Sequence, residues 1–342
     1  MSPNRGALAM RVLKSNFRKC YQLAYSWDGT SLYATFADDR WYDRRIDRWK
    51  LSGSKLAEQV VGSPARATDF CVLPDGRLIA SGHRAITDEL DHIPVVLVVD
   101  PTGREPPWEF PTTYFPLKFI VSPAGDRVLT RGHHYRSRGY HPEHRNFLLS
   151  YRLPLRQPAE AEWKATIRPL PNEFSADLWW YRFDPSGKRV LTIEAGSYLP
   201  RAKQPWTARW RSTTSGKAIG QPIRITGLGL NGMDLAVGGT RLLGCDSATI
   251  FSFDLSNPDH KPTRTTNPTR KHFTGLAVHP DGRRVFASNN DGTVCEYDAV
   301  TLQELRAYDW KVGKLTCVAV APDGMTAAVG SDTGKVVVWD LE

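Results

Sequence analysis

The chain has 342 residues, enough for one large hydrophobic core or two ordinary ones. Lys and Arg total 45 against 36 Asp and Glu, a net charge of +9 that favours anionic partners without requiring one. The longest clean apolar run, Val95–Val99, falls far short of the roughly 18 residues of a membrane span, and MSPNRGALAMRVLKSNF at the start lacks the apolar stretch of a secretion signal.

Taken in chain order, short alternating or β-branched runs bounded by Gly, Asp, Asn and Pro follow one another throughout. No convincing helical spacing runs beyond two turns. After a first run at Ala7–Lys14, the same unit recurs: an apolar strand, a tight turn, a second strand, a second loop and a third strand. The first turns are Ser26-Trp27-Asp28-Gly29, Leu73-Pro74-Asp75-Gly76, Ser122-Pro123-Ala124-Gly125 and Asp184-Pro185-Ser186-Gly187. Val237-Gly238-Gly239 is a weaker equivalent, followed by His279-Pro280-Asp281-Gly282 and Ala321-Pro322-Asp323-Gly324. The glycine supplies the positive φ that a tight hairpin needs. The third strands read IDRWKL, VVLVVD, NFLLSYRL, TARWRST, TIFSFDL, TVCEYDA and KVVVWDL. A period in the forties with several strands per unit predicts a β-propeller.

These units resemble WD repeats. FTGLAVHPDGRRVFASNNDGTVCEYDA (273–299) and LTCVAVAPDGMTAAVGSDTGKVVVWDL (315–341) carry the likeness in register. The Gly-His dipeptide that such repeats carry before the first strand is missing, and Trp-Asp ends a third strand only at Trp339-Asp340. The repeats are therefore divergent, and the family's His–Ser/Asp–Trp hydrogen-bond network is not expected intact. The resemblance implies an all-β, single seven-bladed β-propeller over 1–342. Because the last unit supplies only three strands, blade 7 is expected to form from 314–342 plus the N-terminal strand 7–14, which closes the ring and removes an exposed edge.

Patterns that announce chemistry are weak. Gly227–Gly232 spells GxGxxG, but strand–turn–strand follows it rather than the helix a dinucleotide site requires. His133, His134, His141 and His144 lack the spacing of a zinc motif and read as a polar loop. Asp38-Asp39 and Asp88-Glu89 read as solvated loop charges. Cys20, Cys71, Cys245, Cys295 and Cys317 are odd in number, unpaired as CxxC and set in apolar runs, so buried free thiols and a reducing, cytoplasmic setting are expected. No cofactor, metal, membrane partner or enzymatic activity is expected.

Loop length is uneven. The loops between second and third strands are tight at Asn289–Thr293 and Ser331–Lys335. They are long at 37–48, 83–94, 133–146 and 195–207, in the first four units. Long loops on a rigid scaffold are where binding usually sits. They carry Trp41, Tyr42, Arg44, Arg45, Tyr135, Arg136, Arg138, Tyr140, Tyr198, Arg201 and Trp206, the residue types that dominate binding hot spots. The expectation is a non-catalytic scaffold whose partner is another protein, the ring itself being a monomer or one part of a larger assembly. Net charges of +2 on 133–146 and on 195–207, and of +4 on 260–272, keep a second reading open, in which the same face binds nucleic acid or another polyanion. A propeller hydrolase or lactonase is a third, for which no sequence box speaks.

Overall fold

The computed structural model describes residues 10–37, 44–53, 58–61, 69–85, 92–111, 114–134, 146–155, 161–167, 176–196, 206–225, 232–235, 240–246, 248–257, 261–267 and 271–341. These form seven four-stranded antiparallel sheets, each a blade. Blade 1 is β2 (Lys19–Tyr25), β3 (Ser31–Ala37), β4 (Arg44–Lys50) and β5 (Glu58–Val61). Blade 2 is β6 (Asp69–Val72), β7 (Leu78–Ala85), β8 (His92–Val99) and β9 (Trp108–Pro111). Blade 3 is β10 (Tyr114–Val121), β11 (Arg127–His134), β12 (Asn146–Arg152) and β13 (Trp163–Ile167). Blade 4 is β14 (Ala176–Phe183), β15 (Arg189–Gly196), β16 (Trp206–Ser212) and β17 (Ala218–Ile225). Blade 5 is β18 (Gly232–Leu235), β19 (Arg241–Cys245), β20 (Thr249–Asp254) and β21 (Thr263–Thr266). Blade 6 is β22 (Phe273–Val278), β23 (Arg284–Asn289), β24 (Thr293–Asp298) and β25 (Glu304–Asp309).

Blade 7 takes three strands from one end of the chain and one from the other. β1 (Met10–Lys14) pairs antiparallel with β28 (Lys335–Asp340), from Met10 opposite Trp339 to Lys14 opposite Lys335. β27 (Thr326–Ser331) and β26 (Leu315–Val320) complete the sheet. The expected closing strand is therefore present over Met10–Lys14, while residues 7–9 lie outside the described ones. The innermost strands touch their neighbours around the whole ring, β26 meeting β2.

The turns repeat as the glycines predict. In six blades the glycine N–H donates to the carbonyl three residues earlier, as from Gly29 to Ser26 at 2.9 Å and from Gly324 to Ala321 at 2.9 Å. Gly29, Gly76, Gly125, Gly187, Gly282 and Gly324 all have φ between 68° and 85°, a region that only glycine enters cheaply. The weaker blade-5 turn, with Gly239, lies outside the described residues.

The core follows from the two-residue period of a strand, which sends neighbouring side chains to opposite faces of the blade. Val336 and Val338 pack toward blade 1, whereas Val337 and Trp339 pack toward blade 6. Leu242 faces blade 4 and Leu243 faces blade 6. Each of the seven blade–blade boundaries thus holds its own apolar cluster among the described residues.

The strand registers also align the position of the signature Trp. It is Trp49, Val98, Tyr151, Arg211, Phe253, Tyr297 and Trp339 in blades 1 to 7, and every one is buried. The indole N–H groups of Trp49 and Trp339 have no hydrogen-bond partner among the described residues. The family's polar network is therefore absent at these two positions, and the rings serve as apolar filler.

Candidate interaction face

Hydrogen bonds in blades 6 and 7 establish which loops share a face. The turn between β23 and β24 is bonded to the chain entering its blade: Asn290 N–H donates to His272 O at 2.9 Å, and His272 N–H donates to Asn290 Oδ1 at 2.9 Å. Asp332 and Lys314 repeat the arrangement between β27 and β28, at 2.9 and 3.0 Å. Thr333 adds a bond to Val312 O at 2.7 Å. Second-to-third-strand turns and inter-blade connections therefore lie together, and around blades 6 and 7 they are clamped flat.

Blades 1 to 4 differ at the same place. Their second-to-third-strand connections are 38–43, 86–91, 135–145 and 197–205, against 290–292 and 332–334 in blades 6 and 7. Blade 5 is as tight as these, with Cys245 and Thr249 bounding its turn. The strands beside the long connections also extend further than the sequence pattern indicates. Arg44–Arg48, His133, His134, Trp206 and Thr207, read as loop from sequence, belong to β4, β11 and β16. The reason is pairing: Ala37 lies opposite Arg44 and Ala195 opposite Trp206, so backbone ladder bonds continue into segments whose side chains look polar.

Of the residues proposed from sequence, Trp41, Tyr42, Tyr135, Arg136, Arg138, Tyr140, Tyr198 and Arg201 lie outside the described residues, as does the Arg44 side chain. Arg45 is held within the protein. Its Nε lies 2.9 Å from Asp47 Oδ1, its Nη2 donates to Oδ2 at 3.1 Å, and its guanidinium covers the Phe17 ring at 4.0 Å. Ser15 Oγ donates to the same Asp47 carboxylate at 2.9 Å. Burial pushes the Asp47 carboxyl above the usual range, although Ser15 and Arg45 pull the other way. This cluster fastens the link between β1 and β2 onto blade 1. Trp206 is 5% exposed and packs between blades 4 and 5 with Trp180, Phe251 and Ile225, so it supports the rim from below instead of facing outward.

The +4 segment 260–272 also divides. Thr263–Thr266 forms β21, the outer strand of blade 5, so Arg264 lies on the circumference, and Lys271 and His272 lie on the connection into blade 6. The basic charge is spread over rim and face.

One feature carries no sequence signal. A cavity of about 390 Å³ borders the inner strands β2, β6, β10 and β14. Gln22, Trp27, Lys118 and Arg182 supply its polar and aromatic edge. Trp27 and Pro123 belong to the glycine turns, so the cavity lies toward the face opposite the long loops. Gln22 bridges blades 1 and 2, its Nε2 donating to Phe70 O at 2.8 Å. The lining comes from four inner strands distant in sequence, which no local motif could reveal.

Seven four-stranded blades, ring closure by an N-terminal strand and one face with uneven loops define a seven-bladed β-propeller. The model of the WD domain, G-beta repeat matches residues 260–298 and 301–340. Each matched stretch takes the outer strand of one blade and the three inner strands of the next, the offset already visible in blade 7. The propeller domain of Myceliophteria thermophila Cps50 (Swd1) superposes with a TM-score of 0.70 at 13% identity, covering 98% of this chain and 100% of that one. The fold is thus a seven-bladed β-propeller, and two of its units, at 260–298 and 301–340, are WD repeats. Part of the chain is similar to the serine-threonine kinase receptor-associated protein of Gallus gallus (31% identity, 20% of this chain, 19% of that one). It is likewise similar in part to the LST8 homolog of Drosophila melanogaster (25%, 33% of this chain, 36% of that one) and to groucho of Drosophila melanogaster (23%, 30% of this chain, 14% of that one). The matched regions thus span well under half of each of these relatives. No helix among the described residues is long and apolar enough to cross a membrane.

Proposed function

We propose that this protein is a non-catalytic scaffold that holds a protein partner on the face built by the long connections of blades 1 to 4. The observation that supports this most is the asymmetry of that face. Blades 6 and 7 close it with three-residue connections bonded to the incoming chain, while blades 1 to 4 carry 38–43, 86–91, 135–145 and 197–205. Those connections contain Trp41, Tyr42, Tyr135, Arg136, Arg138, Tyr140, Tyr198 and Arg201, with Arg44 at the edge of the first. Aromatic and guanidinium groups bury much area at modest entropic cost, which suits them as anchors. Their charges alternate with Asp38, Asp39 and Asp43 on blade 1 and with Asp88, Glu89 and Asp91 on blade 2, a mixed pattern that favours a protein over a polyanion. Of the relatives from Bos taurus, one is named a receptor-associated protein and another a subunit of the target of rapamycin complex.

The test is an affinity capture from native lysate, with and without nuclease. Wild type is compared with a variant carrying Arg44→Ala, Arg136→Ala and Arg201→Ala. The reading expects a protein retained after nuclease by wild type and lost from the variant. Retention that disappears with nuclease would move the face to nucleic acid. Equal retention by both proteins would remove these loops from the interface.

A further inference from the structure

The boundary where the ring closes, between blades 7 and 1, contains two cysteines that touch. Cys20 is on β2 and Cys317 on β26, 297 residues apart in sequence, with their sulfurs 3.6 Å apart. Each flanks a β-bulge: the register of β2 shifts between Cys20 and Gln22, and that of β26 between Leu315 and Cys317. Bulges re-aim side chains, and these two turn the thiols toward one another. Space for the pair depends on a missing side chain. A Cβ at Gly330 would sit 2.5 Å from Cys20 Sγ and 2.9 Å from Cys317 Sγ, so only glycine leaves room for both sulfurs. Thr316, between the bulge partners, donates to Cys20 O at 2.6 Å and to Gly330 O at 3.1 Å, fixing the two strands and the pocket floor together.

We propose that Cys20 and Cys317 are a modification site, forming a reversible disulfide under peroxide that fastens blade 7 to blade 1. The sulfurs are already in contact at 3.6 Å and must close to about 2.05 Å for the bond to form. Cys317 is the half-buried member of the pair, on the innermost strand of its blade, whereas Cys20 is fully buried. The hydrogen bond from the Cys20 thiol draws the Cys317 thiol below its ordinary range, and burial raises Cys20. Cys317, the more exposed of the two, is thus the sulfur that peroxide reaches first. Its sulfur takes one oxygen from the peroxide, the O–O bond breaks and hydroxide leaves, giving a sulfenic acid. Cys20 sulfur then attacks Cys317 sulfur, the S–S bond forms, and the sulfenic oxygen departs as water with the Cys20 proton. Two thiols and one peroxide become one disulfide and two waters.

The consequence is mechanical. β1 already closes the ring by hydrogen bonds to β28, and a covalent link would cross the same boundary on the channel side. Closing so long a loop restricts the unfolded chain strongly. The experiment treats the full-length protein with hydrogen peroxide, quenches it with N-ethylmaleimide and maps peptides without reduction. The expected result is one cross-linked peptide pair joining Cys20 to Cys317, with Cys71, Cys245 and Cys295 alkylated after unfolding. Tm should rise by several degrees and return with dithiothreitol. Cys20→Ser and Cys317→Ser should each abolish the cross-link and the rise. Alkylation of both thiols after peroxide, or sulfinic acid on Cys317 with no cross-link, would overturn the site. A cross-link with unchanged Tm would overturn the clamp, and both results come from wild-type protein whether or not the variants fold.

Discussion

Blades 4 and 7 solve one packing problem in opposite ways. At the signature position blade 7 places Trp339, against Trp310 at 4.6 Å and Tyr308 at 5.6 Å between ring centres. Blade 4 places Arg211 there, and the site is equally buried. Its guanidinium is 2.7 Å from Glu194 and also donates to Gly216 O at 3.2 Å and Thr192 Oγ1 at 3.3 Å. Arg209 approaches the same Glu194 at 3.4 Å. An aromatic ring fills its pocket with dispersion contacts and can leave its N–H unpaired. A buried guanidinium holds its place only if every charge and donor finds a partner. The repeat therefore constrains burial at this position, and leaves the chemistry free.

The largest expected effect is on closure. Removing residues 1–14 strips β1 from β28 and exposes a strand edge, so we expect Tm to fall steeply and aggregation to rise. An unchanged Tm after the truncation would contradict the closing role. The comparison between the blades comes next. Trp339→Ala should cost about 3–5 kcal/mol by cavity formation. Arg211→Ala should also destabilise, for another reason, since it leaves the buried Glu194 carboxylate with only Arg209 and Thr192 as partners. Two substitutions sharpen the contrast. Trp339→Phe should recover most of the loss in blade 7, because the indole N–H has no hydrogen-bond partner among the described residues. In blade 4, Arg211→Ala should be relieved by a further Glu194→Leu. Urea unfolding midpoints measure all four, and a Trp339→Phe protein as unstable as Trp339→Ala would refute the filler role.

A smaller effect separates two turns with one backbone conformation. Gly76→Ala should cost roughly 1 kcal/mol, the penalty for a side chain at positive φ, since its Cβ meets nothing within 4 Å. Gly324→Ala should cost more. Its Cβ would lie 2.7 Å from His279 Nε2, the atom that bonds Gly324 O at 3.0 Å across blades 6 and 7. Equal midpoints would show that the contact yields without cost.

The smallest effect is on acid stability. Hydrogen bonds from Ser256 hold the Asp254 carboxyl below its usual range, and those from Thr301 do the same for Asp298. These residues end the third strands of blades 5 and 6, where blades 1 to 4 have Lys50, Val99, Arg152 and Ser212. A folded pKa below the unfolded one stabilises above the unfolded pKa, and the gain disappears as pH falls through the folded value. The contribution of these two carboxylates to Tm should therefore be level above about pH 4 and decline below it. Asp298→Asn should flatten the decline slightly, and a steeper fall in that variant would reverse the assignment.

The resemblance was easiest to read where the blades are most regular. The last two units carry PDG turns, a DG or TG second turn and Tyr-Asp or Trp-Asp, and the family model's matches, 260–298 and 301–340, include them. Blades 1 to 4 were legible as strands from alternation and from their turn glycines, but their limits were not. Ladder pairing carries β4 and β16 into charged segments, because backbone bonding does not depend on side-chain polarity. Trp206 illustrates the difficulty: its sequence neighbours suggest an exposed loop, and its position opposite Ala195 buries it.

Turn chemistry, two-residue alternation and the repeat period by themselves determined that this chain forms blades, how many, and that an N-terminal strand completes the last. Each of these follows from interactions within some forty residues, plus one pairing that an incomplete final unit requires. Tertiary structure alone decided which residues meet across blade boundaries. The contact of Cys20 with Cys317, the burial of Arg211 beside Glu194 and the cavity shared by four inner strands all arise when distant segments are brought side by side. A linear pattern records which way a side chain faces, and closure of the ring determines what it faces.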